Sequence, residues 1–169
     1  MAEKLAGTET RFAQIITSRA RQLGITRTTF TNASGLPDRR QISTARDMAK
    51  LAMALRRDFP ERFKLFSMKS FKYSGLEYRN HNRLLKQYKG TDGIKTGYVR
   101  ASGYNIVVSV ERNGRRLIAA IFGSKSAGKR VSHAKTLLRR TFAILAENDR
   151  LDAPQPKLAK PNNTALNRG

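Results

Sequence analysis

The dipeptide Asn113-Gly114 constrains this chain more than any other two residues. It stands between Tyr104-Asn105-Ile106-Val107-Val108-Ser109-Val110 and Leu117-Ile118-Ala119-Ala120-Ile121-Phe122, two runs that are almost wholly apolar. Asn-Gly supplies the two positive-φ residues of a type I′ turn, whose twist matches that of the strands it joins. Gly103 to Glu111 and Arg115 to Phe122 are therefore expected to form an antiparallel hairpin. A strand with one wet face alternates in polarity, and these runs barely do, so the hairpin needs cover on both faces or nearly so. The 169 residues suffice for one domain with one sizeable core.

Three helical patterns can supply that cover. Phe12, Ile15, Ile16, Ala20 and Leu23 fall at helical spacing over residues 10–23, and Gly24 stops the pattern. A second helix opens at Ser43 or Thr44 as cap, with Asp47 in its first turn, where the helix dipole favours an acid. Its inward positions are Met48, Leu51, Ala52 and Leu55, and Asp58 with Pro60 marks its exit. The last runs from about Lys129 to Glu147, turning Val131, Ala134, Leu137, Leu138, Phe142 and Leu145 to the core. Between them, Asn32 to Asp38 is a loop dense in turn formers. Residues 62–78 alternate loosely through Phe63, Leu65, Phe66, Met68, Phe71 and Tyr73, as one or two short strands around Ser74-Gly75 would. Residues 1–149 thus read as the folded domain, and 150–169, with Pro154 and Pro156, as linker and disordered tail.

Charge narrows the partners. Lys and Arg number 34 against 12 Asp and Glu, for a net +22, which attracts polyanions such as nucleic acid, anionic lipid or acidic wall polymers. The cations are scattered, and no run of five or six marks a binding arm. Aromatic residues between lysines in 62–78 also fit a base-stacking surface, but a half-buried strand needs the same alternation. Nucleic acid is thus the less favoured partner. Cysteine is absent, which excludes disulfides, a thiol nucleophile and Cys-based metal sites, and His81 and His133 lie far apart. No metal and no cofactor are expected. No apolar run approaches the ~18 residues of a membrane span, and Met1 to Gly7 has no apolar signal-peptide core.

The chemistry-bearing stretch is Asp92-Gly93-Ile94-Lys95-Thr96-Gly97-Tyr98. A compact cation next to a hydroxyl, then a residue without a side chain, suits an edge strand that receives an anion. Gly97 would let another backbone come close.

The ordered set of Leu23-Gly24, Asn32-Ala33-Ser34-Gly35-Leu36-Pro37, Ser43-Thr44-Ala45-Arg46-Asp47, His81-Asn82 with Leu84-Leu85, and Asp92 to Gly97 is similar to the serine D-alanyl-D-alanine carboxypeptidases. These are the low-molecular-mass penicillin-binding proteins, and the likeness spans roughly residues 5–145. It implies an α/β (α+β) fold: part of a penicillin-binding-protein or β-lactamase-like transpeptidase domain, with an antiparallel sheet, a C-terminal helix and part of a helical subdomain. It also implies acyl transfer on the D-Ala-D-Ala end of peptidoglycan stem peptides, inhibition of the complete enzyme by β-lactams, and work in the periplasm or cell envelope. By the same resemblance Lys95 and Thr96 hold the substrate carboxylate, Gly97 permits close approach, and the backbone N–H of Tyr98 is one of two oxyanion-hole donors. Arg130 is a weaker candidate to support the carboxylate, its alternative being a surface arginine.

The family's nucleophile motif, Ser-Xaa-Xaa-Lys, and its Ser-Xaa-Asn element belong well upstream of Lys-Thr-Gly, and neither stands there in this chain. Ser126-Ala127-Gly128-Lys129 spells the first but follows Lys-Thr-Gly; Tyr78-Arg79-Asn80 resembles a variant of the second but is out of place. No catalytic nucleophile or base is therefore assigned. Three readings remain open: a C-terminal portion inactive alone, one half of a split enzyme completed by an upstream polypeptide, and a basic module binding nucleic acid or an anionic wall polymer.

Overall fold

The computed structural model describes residues 1–151. Asn113 (φ 50°) and Gly114 (φ 71°) make the expected turn, and Arg112 pairs with Arg115 across it. The turn joins β4 (Gly103–Arg112) to β5 (Arg115–Ser124); β3 (Thr91–Val99) pairs antiparallel with the other side of β4. The order β3-β4-β5 leaves β3 and β5 as the sheet's two edges.

Both faces of this sheet are covered. Ile106, Val108, Val110, Ala119 and Ile121 pack with Leu84 and with Val131, Ala134 and Leu138 of α6 (Ala127–Leu151). On the other face Ile94, Val107 and Ile118 meet Ala52 and Leu55 of α3 (Ala45–Asp58), together with Phe63 and Phe66. Helix, sheet and helix make three layers, and each fully buried aliphatic side chain contributes about 1.5–3 kcal/mol.

Caps and polar ties set the helices. Thr8 begins α2 (Glu9–Gln22), its hydroxyl accepting from the Arg11 N–H at 3.1 Å. Thr44 rather than Ser43 caps α3, accepting from the Asp47 N–H at 3.1 Å. Asp47 does more than face a dipole. It is buried, and its carboxylate accepts from the Arg27 N–H and the Thr28 hydroxyl, each at 2.8 Å, tying α3 to the preceding segment.

Four expectations shift. In α2 the buried residues are Ala13 and Ala20, while Ile15 is 46% exposed. The chain returns beside α2 on its Thr17 and Ala20 side, where the Thr17 hydroxyl bonds to Phe30 N–H and Ile25 N–H to Ala20 C=O, and Ile15 is left outside. Leu137 is likewise exposed rather than inward. Residues 62–68 are not strand: Pro60 opens α4 (Pro60–Phe63), a 3-10 turn follows (Lys64–Ser67), and Phe63 and Phe66 meet edge to face at that three-residue spacing. Only β1 (Ser70–Tyr73) and β2 (Leu76–Arg79) are strands, turning at Ser74-Gly75. Finally α6 extends to Leu151; of the expected linker and tail, 152–169 lie outside the described residues. Two short helices, α1 (Ala2–Ala6) and α5 (Leu84–Gln87), complete the chain.

Candidate functional site

Lys95, Thr96 and Ile94 of the edge strand β3 line an open groove of about 730 Å³. Its other walls come from Phe66 and Met68, from β1 and β2, and from Asn80, His81 and Arg83. The turn after β2 is locked in place by amides. Buried Asn82 donates to Gly93 C=O (3.1 Å) and accepts from Leu84 N–H (3.2 Å); Asn80 accepts from Asn82 N–H and donates to Met68 C=O, both at 2.9 Å. The His81-Asn82 element thereby fixes one wall of the groove against the strand that forms the other.

Lys95 is exposed, and its ammonium rests on the Thr96 carbonyl at 2.7 Å. A Cβ on Gly97 would meet nothing within 4 Å, so among the described residues no backbone uses the close approach expected there. Within this stretch Gly93 is the close-packed glycine: a Cβ there would lie 3.2 Å from Phe66 Cβ. Tyr98 is exposed, its ring 4.3 Å from that of Tyr104, its cross-strand partner.

Arg130 is not a surface arginine. It is 5% exposed, and it donates to the carbonyl of Asn105 (3.1 Å), the residue paired with Gly97. Its Nε has no hydrogen-bond partner, and no carboxylate pairs with it among the described residues. Burial, and after it the charge of nearby Arg83, lower its pKa. A buried cation without a counter-charge is costly until an anion joins it.

The structure also accounts for the serine–lysine spacings. Ser126 caps α6, its hydroxyl accepting from the Lys129 N–H at 3.1 Å, as Ser does at a helix start. A second such spacing, overlooked in the sequence reasoning, is Ser132 to Lys135 on α6; that lysine donates to Gln87 at 3.1 Å. Tyr78, Arg79 and Asn80 do line the groove with Lys95. Ser70, His81 and Glu77 line it as well, but no side-chain hydrogen bond joins any two of these three. Sequence reasoning missed Arg79 and Arg83 as groove cations, because only the fold brings them to β3. The arrangement can bind an anion beside an apolar wall. Among the described residues no group of three or more His, Asp or Glu could hold a metal ion, and no helix is long and apolar enough to cross a membrane.

A family model described as D-alanyl-D-alanine carboxypeptidase matches residues 1–126. The chain is 37% identical over 143 residues to D-alanyl-D-alanine carboxypeptidase DacC of Escherichia coli strain K12, covering 84% of this chain and 36% of that protein. To D-alanyl-D-alanine carboxypeptidase DacA of Haemophilus influenzae it is 36% identical, covering 85% of this chain and 37% of the relative. The chain therefore spans little more than a third of the length of these curated relatives. Among solved structures, penicillin binding protein 5 from Haemophilus influenzae superposes with a TM-score of 0.79 at 35% identity, over 84% of this chain and 42% of that one. Penicillin-binding protein D2 from Listeria monocytogenes, in a cefotaxime-bound form, gives 0.76 at 30% identity, over 83% and 58%.

Proposed function

The chain belongs to the D-alanyl-D-alanine carboxypeptidase family, and we propose that it forms the carboxylate-recognising part of a serine enzyme that trims peptidoglycan stem peptides ending in D-Ala-D-Ala. The observation that carries this reading is the placement of Lys95 and Thr96 on an open groove along an outer strand of the sheet. Lys95 and the Thr96 hydroxyl take the terminal carboxylate, and buried, unpaired Arg130 adds positive potential behind Asn105. With the carboxylate held, the scissile carbonyl lies beside Gly97 and Tyr98, and the Tyr98 N–H supports its oxygen as negative charge develops.

In the full reaction a serine hydroxyl attacks that carbonyl while a lysine takes its proton, and the terminal D-Ala leaves as the amine. Water then hydrolyses the ester formed on the serine. Nucleophile and base come from outside these 169 residues, and residues 1–149 are the C-terminal portion of the catalytic domain. The substrate places the complete enzyme in the cell envelope, with β-lactams as its inhibitors.

Labelling with a fluorescent penicillin tests this. The chain alone is expected to stay unlabelled. A polypeptide carrying the Ser-Xaa-Xaa-Lys and Ser-Xaa-Asn elements of a relative is expected to become labelled only when this chain is added. Lys95→Ala should slow that labelling at least about tenfold, the order for one lost charge-assisted hydrogen bond. Covalent label on this chain by itself would overturn the assignment.

A further inference from the structure

The hairpin β1–β2 turns an apolar face to solvent. Side chains alternate along a strand, so the cross-strand pairs Phe71–Tyr78 and Tyr73–Leu76 share one face. All four residues are between 45% and 68% exposed. Four large apolar side chains on one uncovered face mark an interaction site. The patch is continuous with the groove: Phe71 and Tyr78 line it together with Lys95 and Thr96, and Tyr73 and Leu76 carry the face on beyond it. The Phe71 and Tyr78 rings stack 18° from parallel, 5.2 Å between centroids, and a further flat group can extend such a stack. Glu77 and Arg79 line the groove beside the rings, and neither is in an ion pair among the described residues. One offers only acceptors and the other only donors. An anion can use Arg79 but not Glu77, and a purely apolar partner can use neither. A pyranose ring uses both: its C–H face packs on the electron-rich faces of aromatic rings, and its hydroxyl rim donates and accepts.

We propose that the apolar face of β1–β2 is a sugar-stacking platform, and that the substrate is a stem peptide still joined to its amino-sugar strand rather than a free peptide. A peptide held by its carboxylate at Lys95 and running along this wall carries the sugar at its other end out to Tyr73 and Leu76. Each extended residue adds about 3.3–3.6 Å, so a pentapeptide reaches about 17 Å. This assignment of the substrate rests on the reading that Lys95 and Thr96 hold the terminal carboxylate; the platform itself does not.

NMR titration of the full chain tests both parts. The tetramer of N-acetylglucosamine should perturb the ring signals of Phe71, Tyr73 and Tyr78. Tyr73→Thr, which keeps a strand-forming residue but removes the ring, should weaken that binding about fivefold. Ile144→Thr, which removes an equally exposed apolar side chain from α6, should not. No perturbation, or equal weakening by both variants, overturns the platform. So does loss of the perturbations when a polypeptide carrying the Ser-Xaa-Xaa-Lys and Ser-Xaa-Asn elements is added, which gives the face to that polypeptide. Shifts of the same signals with protein concentration alone give it to a second copy and also overturn the platform. In the second arm, a pentapeptide ending in D-Ala-D-Ala and bearing an N-acetylglucosamine–N-acetylmuramic acid disaccharide at its N-terminus should bind about fivefold tighter than the free peptide. Tyr73→Thr should abolish that ratio, and Ile144→Thr should keep it. A disaccharide peptide that binds no tighter, including the case where neither peptide binds, overturns the substrate assignment. Lys95→Ala should weaken both peptides and leave the tetramer unchanged; if it spares both peptides, the terminal-carboxylate reading fails while the platform stands.

Discussion

Among the described residues, two antiparallel hairpins have two-residue turns at positive φ: β1–β2 at Ser74-Gly75 and β4–β5 at Asn113-Gly114. Their turns are alike, yet their side chains differ completely in setting. In β4–β5, Ile106, Val108 and Val110 are at most 1% exposed between two helical layers. In β1–β2 every residue but Ser70 is exposed, and Phe71 stacks on its cross-strand partner Tyr78, 5.2 Å between centroids. A two-stranded hairpin without cover is marginal by itself. One hairpin therefore carries the fold, and the other borrows its position from the Asn80 and Asn82 amides and serves as a wall.

Truncation should expose this contrast most strongly. Ile106→Ala is expected to cost about 2–5 kcal/mol and Phe71→Ala less than about 1 kcal/mol, both read from urea unfolding midpoints. Equal losses would mean that the outer hairpin belongs to the core.

A smaller effect separates the turns. Gly114 (φ 71°) and Gly75 (φ 76°) both leave open space for a Cβ, so alanine at either meets backbone strain alone, about 1–2 kcal/mol. Gly114→Ala should lower global stability by that amount. Gly75→Ala should instead speed amide exchange in β1 and β2 and leave the unfolding midpoint nearly unchanged.

The smallest change is one of slope with pH. Desolvation by itself would raise the Asp47 pKa, but hydrogen bonds from Thr28 and Arg27, with the charges of Lys50 and Arg21, bring it below its ordinary 3.8. A lowered folded pKa contributes stability that is present above 3.8 and lost as pH falls through the folded value. Asp47→Asn should flatten that part of the acid limb in a pH series of unfolding curves. An unchanged limb would mean that the α3 cover over β4–β5 does not depend on this carboxylate.

The covered hairpin was legible because its turn chemistry is local and its apolar runs are continuous. The outer hairpin was legible only in part. Phe63, Leu65 and Phe66 among lysines read as alternation, whereas Pro60 and the Phe63–Phe66 contact make that stretch helical. Helical spacing likewise marked a stripe on α2 without showing that the neighbouring segment would cover Ala20 and leave Ile15 bare. At the site, Lys95 and Thr96 stood out as a short motif. Arg79 and Arg83 did not, because their approach to β3 depends on a turn held by Asn82 across the fold. The burial of Arg130 follows from the packing of α6 against the sheet, which no local pattern encodes.

Among the described residues, neither outer strand of the three-stranded sheet is paired on its far side. Unpaired strand edges invite a strand from another molecule, and two copies of this chain could meet there edge to edge. Each copy, however, carries +22. That charge acts as a colloidal brake whose reach is the Debye length, about 10 Å at 0.1 M salt and about 3 Å at 1 M. Ionic strength thus governs how closely these edges approach: dilute buffer holds the copies apart, and concentrated salt releases the brake.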